Sequence, residues 1–205
     1  MQKIMAYYEQ VRLTEMKLGG PDVLVESDAF KKGRKQKNGV GFVSWNKCYI
    51  QYIGERGGNI VMEVFANPCG GPERIEHIDG YFKQYLQPGS FLLTDGAYCY
   101  EAWCRDNPEW DLIHAKVNHS DSKNYGFVWL LWADHEDSIG IPLGEHEIIS
   151  VSTEQADGYC GELTKWLNAR GGVRREHMQA YVKEKQFRSN HGHTDIFETF
   201  LTAWG

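Results

Sequence analysis

Paired cysteines are missing from this 205-residue sequence. The chain has five cysteines, an odd number, and no two of them form a C-x-x-C pair: Cys48, Cys69, Cys99, Cys104 and Cys160. Disulfide frameworks and structural zinc sites both depend on paired cysteines, so this pattern argues against both. We expect reduced thiols, most of them buried, because free cysteine is a preferred core residue.

Long apolar runs and leader-like segments are also missing. No run approaches the ~18 residues that a membrane-spanning helix requires, and the first residues, MQKIMAYYEQVRL, lack the pattern of a signal peptide. We therefore expect an intracellular protein that contacts no membrane, in the nucleus of a eukaryote or in the cytoplasm or nucleoid of a bacterium. No P-loop, dinucleotide fingerprint or Ser-His-Asp arrangement is present either.

Positive charge is scarce overall but concentrated in two stretches. The sequence has 22 Lys and Arg against 28 Asp and Glu, a net charge of −6, whereas an enzyme that acts on nucleic acid usually presents a basic surface. Five basic residues nevertheless fall within 31–37 and six within 168–188, while acid is concentrated in 121–148. Such runs are often only solvated faces, so they carry weight only together with the motifs below.

The pattern of apolar residues predicts three strands, followed by alternating helices and strands. Strands are expected over 22–30, 47–54, 58–66, 90–94 and 111–118. Helices are expected over 6–18, 73–86, 97–105, 152–170, 174–188 and 194–203. A turn at Glu55-Arg56-Gly57 should make the early strands an antiparallel meander, and the later crossovers should add parallel strands. This order predicts an α/β protein with a ribonuclease H-like fold, a mixed five-stranded sheet flanked by helices.

One domain with short extensions accounts for the length of the chain. We expect a helical lead-in over 1–21, a core over 22–170 and a helical extension over 171–205. A stretch of the core at about 121–150, which the family resemblance described below implies is an insertion, contains the apolar run FVWLLW within 126–132. This run fits either a hairpin that packs on the domain or a surface for a protein partner or a second copy of the chain.

Three acids fall where the predicted fold would bring them together. Asp28 lies on the first of the predicted strands, Asp95 ends the fourth, and Asp157 lies one turn into the helix over 152–170, which Ser152 or Thr153 could cap. In this fold the first and fourth strands are neighbours, and that helix packs across them. Clustered carboxylates repel one another and suit Mg²⁺ or Mn²⁺, two ions of which could act on a phosphodiester. The alternative is that the acids took these places by chance.

Four segments occur in an order that is typical of one family. The first, LGGPDVLVESDAFKKGRK at 18–35, contains a Val-Glu-x-Asp pattern that ends at Asp28. The others are LLTDGAYCY around Asp95, KVNHS at 116–120 and a Tyr-x-x-Glu-x-x-Phe-Arg-x-Asn pattern that ends at Asn190. Together they resemble the catalytic core of the Merlin superfamily of DDE transposases and its bacterial insertion-sequence relatives.

The resemblance implies a metal-dependent enzyme that cleaves DNA and transfers its strands. Asp28, Asp95 and Asp157 would hold Mg²⁺ or Mn²⁺, two ions in an active enzyme, with Glu154 as an alternate third ligand. DNA would be contacted by basic residues and one histidine: Lys31, Lys32, Arg34, Lys35, His119, Lys165, Arg174, Arg175 and Arg188. For His119, a purely structural role is the alternative.

The sequence also departs from the family pattern. Ala29 stands where the family usually has Glu, Asp157 replaces the usual Glu, Cys160 replaces Trp, and Lys165 lies one residue away from the expected Lys. Residues 1–21 do not resemble the zinc ribbon or helix-turn-helix of the family. With the acidic net charge, these departures leave a second hypothesis open, in which a domesticated core no longer catalyses and instead binds protein or chromatin.

Overall fold

The computed structural model describes residues 15–21, 23–32, 48–66, 73–117, 128–131, 149–170 and 173–191. Within these ranges the strands are β1 (Leu18–Gly19), β2 (Leu24–Lys32), β3 (Cys48–Glu55), β4 (Ile60–Ala66), β5 (Leu86–Gln87), β6 (Phe91–Asp95), β7 (Ile113–Val117), β8 (Val128–Leu131) and β9 (Ile149–Ser152). The helices are α1 (Ile75–Tyr85), α2 (Tyr98–Asp106), α3 (Glu154–Ala169) and α4 (Arg175–His191), and a short 3-10 helix spans Pro108–Trp110. No helix in the described ranges is long and apolar enough to cross a membrane.

A five-stranded mixed sheet forms the centre of the fold, with its strands in the order β4-β3-β2-β6-β7. β2 pairs antiparallel with β3, and β3 with β4, whereas the β2–β6 and β6–β7 pairs are parallel. A tight turn permits the antiparallel pairing of β3 with β4, while α2 provides the crossover that the parallel strands β6 and β7 need. The predicted meander and parallel strands are therefore confirmed, and with them the ribonuclease H-like fold.

The turn between β3 and β4 lies where the sequence predicts it. Glu55 N donates to Asn59 O at 3.0 Å, and Gly58 N donates to Glu55 O at 3.0 Å. Gly57 has a φ of 73°, in the left-handed region that glycine enters without a Cβ penalty. This glycine lets the chain reverse within a few residues and keeps the two strands paired.

Hydrophobic clusters cover both faces of the sheet. On one face, the buried side chains that pack against α1 and α2 include Val25, Ile53 and Leu92. On the other face, a cluster joins β3 and β4 to α3 and α4 and includes Ile50, Tyr52, Met62, Ala156, Leu163 and Val182. The alternation of strand residues between two faces explains how neighbouring positions can serve different clusters. It also places α3 over the face of the sheet that carries Tyr52.

The edge strand β4 has its backbone amides covered by α4. Three of these amides donate to side-chain oxygens of the helix: Ile60 N to Asn190 (2.8 Å), Met62 N to Gln186 (2.9 Å) and Val64 N to Gln179 (2.9 Å). An uncovered edge strand invites pairing with another chain. Because alternate amides of the strand meet helix side chains that are first about one turn and then about two turns apart, α4 is held in one register along this edge.

The last residues of the helix predicted over 6–18 are not helical in the structure. Residues 1–14 lie outside the described part, and Leu18 belongs to β1, which pairs in parallel with β5. A two-residue strand is too short to produce a periodic pattern, so the sequence carries no signal for this pairing. The helix predicted over 194–203 also lies outside the described part.

The two ends of the predicted insertion pair with each other. β8 and β9 form an antiparallel pair from Val128 opposite Ser152 to Leu131 opposite Ile149. The side chains of the apolar run lie outside the described part, so the alternatives of a packed hairpin and a partner surface both stay open.

The described cysteines are free thiols. Cys48, Cys99 and Cys160 are buried and Cys104 is half-buried, which agrees with the expected reduced core residues. Cys69 lies outside the described part.

Candidate active site

Asp28 and Asp95 lie at the same level of two neighbouring parallel strands. β2 and β6 pair with Glu26 opposite Leu93 and Ser27 opposite Thr94. The next residue on each strand is an aspartate, so the two carboxyl groups project from strands about 4.8 Å apart and toward the same face of the sheet. The structure thus brings these two predicted site residues together.

Asp157 approaches the same face from α3. Asp28 is paired with Tyr52 of β3, so their side chains share one face of the sheet. Tyr52 belongs to the hydrophobic cluster that includes Ala156 and Cys160 of α3. Asp157 lies between those two residues, in the first turn of the helix, and is exposed. The third predicted acid is therefore on the helix that covers Asp28.

The pKa of Asp28 reflects this gathering of acids. Burial, together with the negative charges of Asp95, Asp157 and Glu73, raises the pKa from 3.8 to about 6. The Ala29 N–H partly offsets the rise, because it donates to Asp28 Oδ1 at 2.7 Å. A carboxyl group whose pKa is raised by other acids gains from a nearby cation.

Short-range hydrogen bonds orient the chain beside two of the acids. Asp95 Oδ1 accepts a hydrogen bond from Ala97 N at 3.0 Å, just before α2 begins. Asp157 N donates to Thr153 O at 2.9 Å, and Thr153 Oγ1 lies 3.5 Å from Asp157 Oδ2, the outer limit for a hydrogen bond. These bonds fix the first turns of α2 and α3 next to the acids.

The acids have the donor atoms that a divalent cation prefers, but they are not close enough together to hold one. Across the described ranges, no three His, Cys, Asp or Glu side chains stand close enough together to hold a metal ion. The carboxylate oxygens of Asp28, Asp95 and Asp157 are nevertheless the donors that Mg²⁺ and Mn²⁺ prefer. A cation would also relieve the repulsion that raises the pKa of Asp28. We conclude that the residue types fit such an ion, although no group of three in the described ranges is gathered closely enough to hold one.

The predicted DNA-binding residues are spread over several elements. Of the described ones, Lys31 on β2, Lys165 on α3, Arg174 just before α4 and Arg188 on α4 are exposed. Arg188 is engaged in an ion pair with Glu184, with Nη2 3.0 Å from Oε1. Outside the described part are Arg34, Lys35, His119 and the side chains of Lys32 and Arg175. Lys31 follows Asp28 on the same strand, and Lys165 lies on the same helix as Asp157.

Sequence reasoning missed two acids near Asp28. Glu73 precedes α1, and its charge contributes to the raised pKa of Asp28; no local pattern marks it, because its approach depends on the path of the chain into α1. Glu26 belongs to the Val-Glu-x-Asp segment, so a signal for it was present. Its role could not be read from that segment, because its hydrogen-bond partners lie on distant parts of the chain.

A protein-family model and a solved structure show what this chain is similar to. A family model, the ISXO2-like transposase domain, matches residues 10–190, a range that includes all three aspartates. One similar solved structure is the cryo-electron microscopy structure of the simian T-cell lymphotropic virus intasome in complex with PP2A regulatory subunit B56 gamma. Its identity to this chain is 11% and the TM-score is 0.45, with 90% of this chain and 57% of that chain covered. This chain therefore spans little more than half the length of that one.

Among curated proteins, none matches this sequence. The family match extends over most of the chain and confirms the predicted relationship to DDE transposases. The chain belongs to the ISXO2-like transposase domain family.

Proposed function

We propose that this chain cleaves DNA strands and transfers them, using divalent cations held by Asp28, Asp95 and Asp157. The observation that carries this proposal is the pairing of β2 with β6, which sets Asp28 level with Asp95 on one face of the sheet. Glu154, which is exposed in the first turn of α3, is the alternate third ligand. Membership of a transposase family supports the reaction class.

In this proposal the acids supply the protein ligands of Mg²⁺ or Mn²⁺. When bound, two such ions supply an activated nucleophile and a charge that stabilises the leaving oxygen of a phosphodiester. Asp28 and Asp95 provide oxygen donors at positions set by the sheet. The remaining protein ligand comes from the first turn of α3, where Asp157 and Glu154 are both exposed and accessible to a cation.

We further propose that the DNA is held by the basic residues that follow Asp28. Lys31 is exposed, and three more basic residues follow it before residue 36. A local concentration of positive charge can attract phosphates even though the net charge is −6. The remaining contacts of this proposal are Lys165, Arg174, Arg175, Arg188 and His119. Arg188 would first have to leave its ion pair with Glu184.

Nicking of supercoiled DNA in the presence of Mn²⁺ tests the proposal. Asp28→Asn and Asp95→Asn each remove a charged ligand while keeping the size of the side chain, so nicking should fall to the level seen without metal. Glu109→Gln is the matched control, because Glu109 is an exposed acid on the 3-10 helix, before the start of β7. It should nick like the wild type. A wild-type protein that neither nicks DNA nor binds Mn²⁺ would rule the proposal out.

A second candidate is a domesticated core that binds protein or chromatin without catalysis. It is favoured by the net charge of −6 and by the absence, within the described ranges, of three ligand side chains close enough to hold a metal. Its binding surface would be the insertion at 126–132, in contact with a protein partner or a second copy of the chain. Polar replacement of Trp129, Leu130, Leu131 and Trp132 should then abolish self-association measured by sedimentation, whereas Asp28→Asn should leave it intact.

A further inference from the structure

Glu26 is a fully buried carboxylate on the strand that carries Asp28. It is 0% exposed, and because it lies two residues before Asp28 its side chain is on the same face of β2. Its Oε1 accepts hydrogen bonds from Arg56 Nη2 at 3.0 Å and Nε at 3.3 Å. Its Oε2 accepts one from Ala156 N at 3.0 Å. One oxygen therefore binds the β3–β4 turn and the other binds α3.

The bond to Ala156 replaces a cap that α3 does not provide for itself. Thr153 occupies the N-cap position but its side chain accepts no hydrogen bond from a backbone N–H of the first turn, although the sequence predicts Ser152 or Thr153 in that role. Glu26 supplies an acceptor from the neighbouring strand instead, and its negative charge lies at the positive end of the helix dipole. The start of α3 is therefore held by the sheet.

A second side chain ties the same turn of α3 to the β3–β4 turn. Gln155 Nε2 donates to Glu55 O at 2.8 Å and to Tyr52 OH at 3.2 Å, and Gln155 Oε1 accepts from Gly57 N at 3.0 Å. These bonds fasten the helix to β3 and its turn, whereas the bond from Glu26 fastens it to β2. The two ties act on adjacent residues of the helix, so together they restrict both its position and its rotation.

We propose that Glu26 is a positioning residue that sets where the third acid lies relative to the aspartate pair on the sheet. Glu26 lies two residues before Asp28 on β2, and Ala156 lies one residue before Asp157 on α3. The hydrogen bond between Glu26 and Ala156 therefore links the two aspartates through a short stretch of chain. Any change in that bond moves the first turn of α3, with both Asp157 and Glu154, relative to Asp28. This inference rests on the proposed function, in which those acids hold the cation.

Glu63→Ala is a matched control for Glu26→Ala. Glu63 lies on β4 and also ties a helix to the sheet, since its Oε1 accepts from Lys183 Nζ at 2.8 Å and its Oε2 accepts from Gln179 Nε2 at 2.9 Å. The helix that it holds is α4, which carries none of the proposed ligands. Each substitution removes a carboxylate from a largely buried ion pair, so both should lower the stability of the fold.

The full-length variants are compared by amide hydrogen exchange without metal and by Mn²⁺ affinity from calorimetry. In Glu26→Ala, exchange should rise over 154–158, and Mn²⁺ affinity should fall by about tenfold or more, as it does when residues that orient metal ligands are lost. In Glu63→Ala, exchange should rise in α4 instead, and Mn²⁺ affinity should stay within about twofold of the wild type, because distant sites act independently. Glu26→Gln keeps one acceptor for Ala156 N and should recover most of the affinity.

Equal losses of Mn²⁺ affinity in the two alanine variants would overturn the inference, because general destabilisation would explain both. Unchanged exchange over 154–158 in Glu26→Ala would overturn it as well. If Glu26→Ala does not fold, Glu26→Asp takes its place, since the shorter side chain draws the carboxylate away from Ala156 N. A wild-type protein that binds no Mn²⁺ contradicts the proposed function instead, and the exchange data still report whether Glu26 holds α3.

Discussion

Replacing Asp28 by asparagine should stabilise the metal-free protein. Burial, together with the charges of Asp95, Asp157 and Glu73, raises the pKa of Asp28 from 3.8 to about 6. The folded protein therefore binds this proton more tightly than the unfolded chain does, and the ionised carboxylate opposes folding at neutral pH. Asparagine has nearly the same shape and no charge, so it should remove this opposition.

The size of the effect follows from the pKa of Asp28. One pKa unit corresponds to about 1.4 kcal/mol, so the rise from 3.8 to about 6 corresponds to at most roughly 3 kcal/mol. Solvent screening of this partly exposed group lowers the expected gain to about 1–3 kcal/mol. For a chain of 205 residues, each kcal/mol shifts the Tm by about 2–4 °C. Asp28→Asn should therefore raise the Tm by roughly 2–12 °C at pH 8 in EDTA.

The gain in stability should fade as the pH is lowered. Below pH 3.8 the Asp28 carboxyl is protonated in both states, whereas between 3.8 and about 6 the unfolded chain ionises before the folded one. The free-energy cost of ionising Asp28 in the folded protein therefore increases across this pH range. At pH 5 the gain in stability of Asp28→Asn should be about half of its value at pH 8. Thermal unfolding followed by circular dichroism at both pH values measures this difference.

Glu109→Gln is the control for removing an acid, and its Tm should change little because Glu109 is exposed. A neutral or destabilising effect of Asp28→Asn at pH 8 in EDTA would refute the raised pKa of Asp28. So would a gain that is equal at both pH values. Added Mn²⁺ should raise the Tm of the wild type but not that of Asp28→Asn, because binding to the folded state alone stabilises it. Equal responses to Mn²⁺ would place the cation elsewhere.

Three further substitutions test the edge strand, the short parallel pair and the DNA surface. Asn190→Ala removes two hydrogen bonds to the backbone of Ile60, both of 2.8 Å, and should lower the free energy of unfolding in urea by about 1–3 kcal/mol; an unchanged value would mean that α4 does not cover β4. Gly19→Ala should destabilise by about 1–3 kcal/mol, because φ is 90° and a Cβ would collide with Ser90 Oγ; thermal unfolding like that of the wild type would contradict the placement of β1. Lys31→Glu should weaken DNA binding, and fluorescence anisotropy between roughly 50 and 200 mM salt should show a shallower salt dependence. An affinity that changes neither with this substitution nor with the salt concentration would mean that the DNA binds elsewhere.

Local sequence pattern determined most of the secondary structure of this protein. The spacing of Ala156, Cys160, Leu163 and Leu167 predicts a helix with one apolar face, and these are the residues that α3 buries. The tight turn with Gly57 and the alternation of strands and helices after β4 likewise predict the mixed sheet. These features depend on neighbouring residues or on general rules for connections, so they can be read without the tertiary structure.

The part of the candidate site that depends on the order of the strands could be predicted from the sequence. Asp28 and Asp95 could be placed together because Asp28 lies on the first predicted strand and Asp95 ends the fourth, and those two strands are neighbours in the predicted fold. The spacing between the acids could not be predicted, and within the described ranges no three ligand side chains lie close enough together to hold an ion. The charge of Glu73 near Asp28 also depends on the path of a loop.

Only the tertiary structure decided which distant groups bind each other. Glu26 meets Ala156 across 130 positions of sequence, and Asn190 meets Ile60 across the same separation. The parallel pair of β1 and β5 consists of two residues in each strand, too short to give a periodic signal. A hydrogen bond of this kind depends on the final distance and direction between two atoms, which the packing of whole helices and strands sets. The sequence alone therefore identified the elements and the acids, and the folded chain decided what holds them in place.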